Sequence, residues 1–436
     1  MTYKNQAVLV VGMGKTGRAA AAFLRREGAR VSVTDSKPQD DPDFRPQTGE
    51  LFSEPWDCIV LSPGVAPDQP EIVAAAARGV TVTGELELAA GHLSGKTIGI
   101  TGSNGKTTTT SLSGHVFTSA GVPAQVGGNI GTPVVAMCGT SRPDQWNILE
   151  LSSFQLEMAK TFRVDIGVCL NVTQNHLDRH HTFENYSAAK GNLFRTQAVG
   201  AHAVLNADDP VCRSFATFGP AATAWFSSSS SEALWHIAGG AIYCGQELLM
   251  PLQEVPVPGL HNAENVMAAA AACHLAGISL PQIRSAVKTF RAVEHRLEFV
   301  AEIAGVRYFN DSKATSVDAT MKAVDSFAGG LWIILGGKDK GSDYTLLRER
   351  LQQKAHAALL IGSAAEKIAA HLEGAVPLIQ AGTLAAAVEE ARSRAGAGDT
   401  VLLAPACASF DQFQSYEHRG EVFKQLVRGI EHGAAA

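Results

Sequence analysis

The residues best equipped for chemistry in this 436-residue chain begin with Thr101-Gly-Ser-Asn-Gly-Lys-Thr107. The apolar run over 97–100 predicts a buried strand. It breaks at Gly102-Ser103-Asn104-Gly105, and Lys106 opens a helix whose first turn is rich in hydroxyls, Thr107 and Thr108 among them. Glycines let backbone N–H groups converge on phosphate oxygens, a helix N-terminus adds positive potential, and a lysine supplies a point charge. These types at this spacing predict a phosphate-binding loop for a nucleoside triphosphate, with the Thr107 hydroxyl on a magnesium ion that bridges phosphates. The longer motif has glycine five residues before Gly105, where Ile100 stands here, so this is a shorter variant. A glycine turn capping an ordinary helix is the competing reading; strand, lysine and hydroxyls in one register weigh against it.

Other candidate groups follow at strand ends. Glu150 closes the run from Trp146, and a carboxylate at such a tip is where phosphate-loop domains hold magnesium or its water. A surface helix cap is the alternative for it. His176 follows the apolar run 166–170 closely enough to ligate a metal or touch a phosphate, although a lone histidine is more often a plain surface residue. His176, His180 and His181 together invite a zinc reading, but no cysteine or second cluster completes a ligand set. Lys190, among small and apolar residues of an expected helix, says nothing by itself. Asn262 and Asn265 sit one helical turn apart, and each can donate to and accept from an adenine edge. N-capping is the plainer account of Asn262.

The elements that must position these groups are α/β throughout. Ala7 to Val11 is an expected buried strand running into Gly12-Met-Gly-Lys-Thr-Gly17, a helix to Glu27, and a second strand ending at Asp35. That is a dinucleotide fingerprint, yet only about four strands fit before residue 94 where a full dinucleotide fold needs about six. A half fold suits one diphosphate, so a nucleoside-diphosphate handle is favoured over NAD. For Gly17 a pure packing role stays open. Ser62-Pro-Gly64-Val65 is a second loop at the carboxyl edge of this sheet. The glycine-rich loop 127–133 is too polar for a core connection. Ser227 to Ser231 reads as a mobile surface loop, and 234–258 as a small β excursion. Beyond about 295, strands at 331–335, 358–361, 376–379 and 400–403 alternate with helices, which predicts a parallel, doubly wound sheet. Its loops Asn310–Thr315, Gly336–Lys340 and Pro405–Gln412 carry lysines and hydroxyls suited to a carboxylate-bearing small molecule, and a sheet of this kind gathers such loops at one crevice. The expected domains are 1–93, 94–294 and 295–436.

Composition narrows the class. Hydrophobic residues at 45% and charged residues at 18% are ordinary for globular domains. A net charge of −6 gives no basic surface for nucleic acid or membrane. Seven scattered cysteines without a C-x-x-C pair read as reduced thiols of a cytoplasmic protein. No apolar run reaches spanning length, and the N-terminal residues enter a strand directly, so neither anchor nor signal peptide is expected.

Taken together, Thr-Gly-Ser-Asn-Gly-Lys-Thr, Glu150-Leu-Ser-Ser-Phe-Gln-Leu-Glu157, Asn310-Asp-Ser-Lys-Ala-Thr315 and Pro405-Ala-Cys-Ala-Ser-Phe-Asp-Gln-Phe413 resemble the Mur ligases. The likeness extends over all three expected domains. It implies an N-terminal Rossmann-like half fold, a central phosphate-loop ATPase domain and a C-terminal Rossmann-like sheet. The implied reaction uses ATP and magnesium, with two ions expected, to add D-glutamate to UDP-N-acetylmuramoyl-L-alanine through an acyl phosphate, in a monomer that serves peptidoglycan precursor synthesis.

By the family pattern, Gly102, Ser103, Asn104, Gly105, Lys106, Thr107 and Thr108 hold phosphates. Asn262, Asn265, Arg296 and Asp311 contact the rest of ATP. Lys106, Glu150, His176 and Lys190 are the implied catalytic set. Thr107, Glu150, His176 and Lys190, the last as a carbamate, are the implied metal ligands. Thr16, Asp35, Ser36, Ser62, Gly64, Asn129 and His176 match positions at the UDP-sugar. Lys313, Thr315, Lys340, Ser409, Phe410 and Tyr416 match positions around D-glutamate. Three positions depart from the pattern: Lys37 replaces an arginine common near the uracil, Asn175 an acidic residue before the metal-site histidine, and Tyr416 a phenylalanine. The rivals are a sibling ligase for another amino acid, a folylpolyglutamate synthase, an NAD-dependent dehydrogenase that would leave Lys106 unexplained, and a nucleotide-driven switch. Separate cores also predict hinge closure near 294–297.

Overall fold

The computed structural model describes residues 3–256, 259–291 and 294–433. Near-continuous apolar runs make strands that are buried on both faces, as parallel sheets require. The N-terminal sheet has four parallel strands in the spatial order Arg30–Thr34, Ala7–Val11, Cys58–Leu61, Thr81–Gly84. Alternate residues of one strand serve opposite cores. Val8 and Val10 pack with Phe23 and Leu24, while Leu9 and Val11 pack with Leu51 and Phe52. The helix Lys15–Arg26 starts directly after the glycine turn. A Cβ on Gly17 would lie 1.8 Å from the Gly12 carbonyl oxygen. Gly17 thus permits the close approach of helix to strand, which decides the role left open for it.

The central sheet has nine strands. Its parallel core runs Ala124–Gly128, Trp146–Glu150, Lys96–Thr101, Ile166–Cys169, His202–Asn206, Ala222–Ser227. Trp235–Ala238 pairs parallel with the last of these, and Ala241–Cys244 and Glu247–Pro251 add an antiparallel meander at the edge, the β excursion expected over 234–258. The serine run is a surface loop over 228–231, with Ser229 and Ser231 exposed, but its first residue departs from expectation. Ser227 is fully buried, its hydroxyl donates to Asp208 Oδ1 at 2.6 Å, and the Ser228 amide donates to Oδ2 at 2.7 Å. Composition reveals the polarity of the run but not the carboxylate past the neighbouring strand end that draws Ser227 inward.

The C-terminal sheet has the order Glu298–Ile303, Val306–Asn310, Thr400–Leu403, Leu331–Gly336, Ala355–Ile361, Leu378–Gly382. Five strands are parallel and alternate with helices; the first is antiparallel to the second. The expected unbroken strand–helix alternation is therefore corrected by one hairpin. Ala304 and Gly305 turn it with φ of 51° and 79°. Two left-handed residues suit a tight hairpin, but alanine is a poor signal for one. By compactness the chain forms two units, Met1–Glu254 with Glu264–Lys288, and Val255–Ala263 with Thr289–Ala436. The first holds the N-terminal and central sheets, the second the C-terminal sheet.

Candidate active site

The phosphate loop leaves the middle of the central sheet, where Ile100 pairs with Glu150 and Thr101 with Cys169. Gly102 and Gly105 take φ of 145° and 87°, conformations that side chains disfavour. A Cβ on Gly105 would fall 2.2 Å from Asn265 Oδ1, so the asparagine lies directly against the loop. Helix Lys106–Ser119 starts there, with Thr107 and Thr108 buried in its first turn. Lys106 folds back, Nζ donating to the carbonyls of Gly102 (2.9 Å) and Ser103 (3.0 Å). The Ser103 hydroxyl meets Tyr186 Oη at 2.8 Å, and the Asn104 amide donates to Asn171 Oδ1 at 2.9 Å. Asn171, just past the neighbouring strand, and Tyr186, on helix Phe183–Arg195, thus brace the loop.

Glu150 and Lys190 converge on this loop. Glu150 is 2% exposed; its Oε1 accepts from Asn129 Nδ2 at 2.8 Å, while its buried Oε2 meets no hydrogen-bond donor. This excludes the surface-cap alternative. Lys190 is buried on helix Phe183–Arg195, and Nζ donates to the Gly102 carbonyl at 2.8 Å. Burial, reinforced by the nearby Lys106 charge, holds its pKa well below the usual lysine range. Burial and the Lys106 charge both favour the uncharged amine, the form that can act as a nucleophile.

His176 has a left-handed backbone (φ 54°) at the start of the one-turn helix Leu177–His180, and its ring packs 4.9 Å from that of Phe154. Asn175 Oδ1 accepts the His176 amide at 2.9 Å. The neighbouring imidazoles go elsewhere, His180 to Ser153 Oγ (3.0 Å) and His181 to Asp68 Oδ2 (2.7 Å), so they form no zinc cluster. Glu150 Oε2 and the Thr107 hydroxyl are hard oxygen donors, and a buried carboxylate oxygen without a donor is costly. That donor chemistry fits magnesium better than a soft transition metal.

A cavity of about 550 Å³ opens where the N-terminal sheet meets the central one. It brings together Thr16, Asp35, Ser36, Ser62, Gly64 and Asn129, along with Lys15 and Gln155. His176 is not among its lining residues. Asp35 is already engaged: Oδ2 accepts the Met13 amide at 2.6 Å and Oδ1 the Lys37 amide at 3.1 Å. The Met13 bond foremost holds the Asp35 pKa below the ordinary carboxylate range. Ser62 Oγ donates to the Gly12 carbonyl at 2.6 Å, so both residues shape the glycine turn. Lys15 spans the cavity mouth to the Gly131 carbonyl at 2.5 Å. Sequence reasoning missed Gln155, whose Nε2 donates to the buried Glu85 at 3.1 Å. Burial raises the Glu85 pKa. The signal for Gln155 was legible as a capping box, Ser152-x-x-Gln155, which the structure contains.

In the second unit, strands ending at Asn310, Leu403 and Gly336 are neighbours, and their three loops meet. Ala406 N–H donates to the Ala314 carbonyl at 2.9 Å, and Lys338 N–H to that of Ala408 at 2.8 Å. Lys313 Nζ stands 5.7 Å from the centroid of the Tyr416 ring. The Thr315 amide donates to the Lys313 carbonyl at 2.8 Å. Ser409 is buried, Lys340 exposed, and Phe410 is 68% exposed on the same rim. Asp311 is buried, accepts the Leu297 amide at 3.3 Å, and is pushed up to about 6 by burial, against the pull of Arg296. Asn262 lies inside the first turn of helix Leu260–Leu275 rather than at its cap. Arg419 was missed. It is 1% exposed beneath the loops, donating to the Ser312 carbonyl (2.8 Å), Ser312 Oγ (2.9 Å) and the Cys407 carbonyl (3.2 Å). Nothing in its sequence context marks it.

Three consecutive family models match this chain: the Mur ligase MurD-like N-terminal domain over residues 6–84, the Mur ligase middle domain over 100–273, and the Mur ligase glutamate ligase domain over 295–407. The chain is 59% identical over 445 residues to a UDP-N-acetylmuramoylalanine--D-glutamate ligase of Solibacter usitatus, covering 99% of each chain. It is 51% identical to the protein of the same name from Acidobacterium capsulatum, covering 100% of this chain and 99% of that one. Among solved structures, a MurF ligase from Thermotoga maritima in complex with ADP shares the fold, with a TM-score of 0.62, 17% identity, and coverage of 98% and 96%. Matched in three successive segments and along its whole length, the chain belongs to the Mur ligase family.

Proposed function

We propose that the chain is an ATP-dependent ligase that joins the amine of D-glutamate to the terminal carboxylate of UDP-N-acetylmuramoyl-L-alanine, a step of peptidoglycan precursor synthesis. The observation that carries this reading is the pair of buried groups at the phosphate loop, the unmet Glu150 Oε2 and the Lys190 amine that donates to the Gly102 carbonyl. Asn129 links Glu150 to the N-terminal cavity, since it hydrogen-bonds that carboxylate and also lines the cavity. The names of the 59% and 51% identical relatives support the choice of substrates.

In this reading residues 1–93 hold the UDP-sugar, 94–294 hold ATP, and 295–436 hold D-glutamate. A substrate carboxylate oxygen attacks the γ-phosphorus, and ADP leaves. The D-glutamate amine then attacks the acyl carbon, and inorganic phosphate departs with one of the original carboxylate oxygens. Lys106, the loop amides and the Thr108 turn stabilise the charge that spreads over the transferring phosphoryl group. Glu150, Thr107, His176 and Lys190 would hold magnesium, which supplies charge neutralisation at the phosphates. Lys190 would do so after its neutral amine adds to carbon dioxide, losing one proton and becoming a carbamate anion. Asn262, Asn265, Arg296 and Asp311 contact the nucleoside. Lys313, Thr315, Lys340, Ser409, Phe410 and Tyr416 surround D-glutamate, with Arg419 fixing the loops beneath them. The protein acts as a cytoplasmic monomer.

Incubating the enzyme with ATP, magnesium, UDP-N-acetylmuramoyl-L-alanine and each of a set of amino acids tests this reading. Mass analysis should show one D-glutamate added to the UDP-sugar, with phosphate release that needs both acceptors. Addition of a different amino acid would assign a sibling ligase, and phosphate release with neither acceptor would favour a switch.

A further inference from the structure

The one-turn helix Leu177–His180 is bracketed by two left-handed histidines, His176 (φ 54°) and His181 (φ 67°). Non-glycine residues persist in such conformations only where their surroundings hold them. Arg179, inside that turn, supplies a hold. Its guanidinium forks onto Glu157, with Nη2 at 2.7 Å from Oε2 and Nη1 at 3.3 Å from Oε1. Nη2 also donates to the Val65 carbonyl at 3.2 Å. Its Cζ lies 5.4 Å from the centre of the Phe154 ring, the same ring that packs against His176. The Arg179 side chain is 12% exposed, so screening by water is limited.

Val65 ends the Ser62–Val65 loop, which lines the N-terminal cavity. One half-buried fork therefore grips both the wall of the cavity and the turn that presents His176. A planar guanidinium does this with fixed geometry, whereas an ammonium cannot serve a bidentate carboxylate and a carbonyl in the same way. We infer that Arg179 is a positioning residue that couples occupancy of the UDP-sugar cavity to the placement of His176, a magnesium ligand in the ligase reading. The inference rests on the ligase reading above. Coupling of this kind is reciprocal: the UDP-sugar tightens nucleotide binding by the factor with which the nucleotide tightens the UDP-sugar.

Calorimetry tests it. The affinity for the magnesium complex of a non-hydrolysable ATP analogue is measured with and without saturating UDP-N-acetylmuramoyl-L-alanine, in the wild type, Arg179→Lys and Glu157→Gln. The wild type should bind the analogue about fivefold or more tighter when the UDP-sugar is present. In Arg179→Lys that ratio should collapse toward one while each ligand alone still binds. Glu157→Gln, which keeps the arginine but loosens its seat, should give an intermediate ratio and serves if the lysine variant does not fold. A merely structural role would weaken each ligand separately and leave the ratio intact. That result overturns the inference, as does a wild type that binds both ligands without coupling. A wild type that binds neither ligand overturns the ligase reading itself.

Discussion

At the scale of single residues, the site depends on groups held in states that water would not allow. Lys190 is the clearest. Its folded pKa lies well below the unfolded one, so between those two values folding must expel a proton. Stability contributed at this position therefore rises with pH through that window and is lowest below it. Lys190→Met should raise the melting temperature at neutral pH while abolishing ligation, a combination readable by thermal scans and product assays. Lys190→Ala should lose activity by about 100-fold or more and regain part of it with added acetate or formate, whose carboxylate replaces the carbamate. An active, unassisted alanine variant would contradict the carbamate role.

Asp311 shows the opposite sign. Burial pushes its carboxyl up to about 6, above its unfolded value, so its contribution is most favourable below that unfolded value and is lost as pH rises through about 6. Asp311→Asn should remove a pH-dependent loss on the order of 3 kcal/mol between about pH 4 and 7, seen as a flatter dependence of unfolding midpoint on pH. ATP affinity should fall in the same variant if the carboxylate contacts the nucleoside.

At the scale of elements, glycines decide where helices can begin. Gly17→Ala would drive a methyl into the Gly12 carbonyl, 1.8 Å away, and push helix Lys15–Arg26 off its strand. A loss at the upper end of about 1–3 kcal/mol is expected, with weaker UDP-sugar binding by titration. A variant with unchanged stability and affinity would refute that packing role. Much of this level was legible beforehand. The apolar runs, the phosphate loop with its helix at Lys106, the half fold with four strands and the three loaded loops of the C-terminal sheet all follow local patterns that the structure repeats. What local pattern could not reveal was pairing across distance. The Ser227 run folds around Asp208, Ala304-Gly305 turns an antiparallel hairpin, and Arg419 lies under loops contributed by three strands. The serine run and Arg419 depend on partners many residues away; the hairpin is local, but its turn begins on an alanine, which carries no hairpin signal. Asp35 and Ser62 were legible as cavity residues, but not their use in bracing the glycine turn.

At the scale of the whole molecule, the central claim is that a carboxylate bound near the N-terminal sheet is activated by phosphate from the central one. Fold likeness alone would not establish that, since distant relatives share the architecture at 17% identity. The most direct measurement follows oxygen. UDP-N-acetylmuramoyl-L-alanine labelled with ¹⁸O in its terminal carboxylate is turned over with ATP and D-glutamate, and the released phosphate is analysed by mass. Transfer through an acyl phosphate predicts one ¹⁸O in each phosphate, matched by one labelled oxygen left in the new amide. Unlabelled phosphate alongside amide product would contradict activation of the carboxylate by phosphoryl transfer.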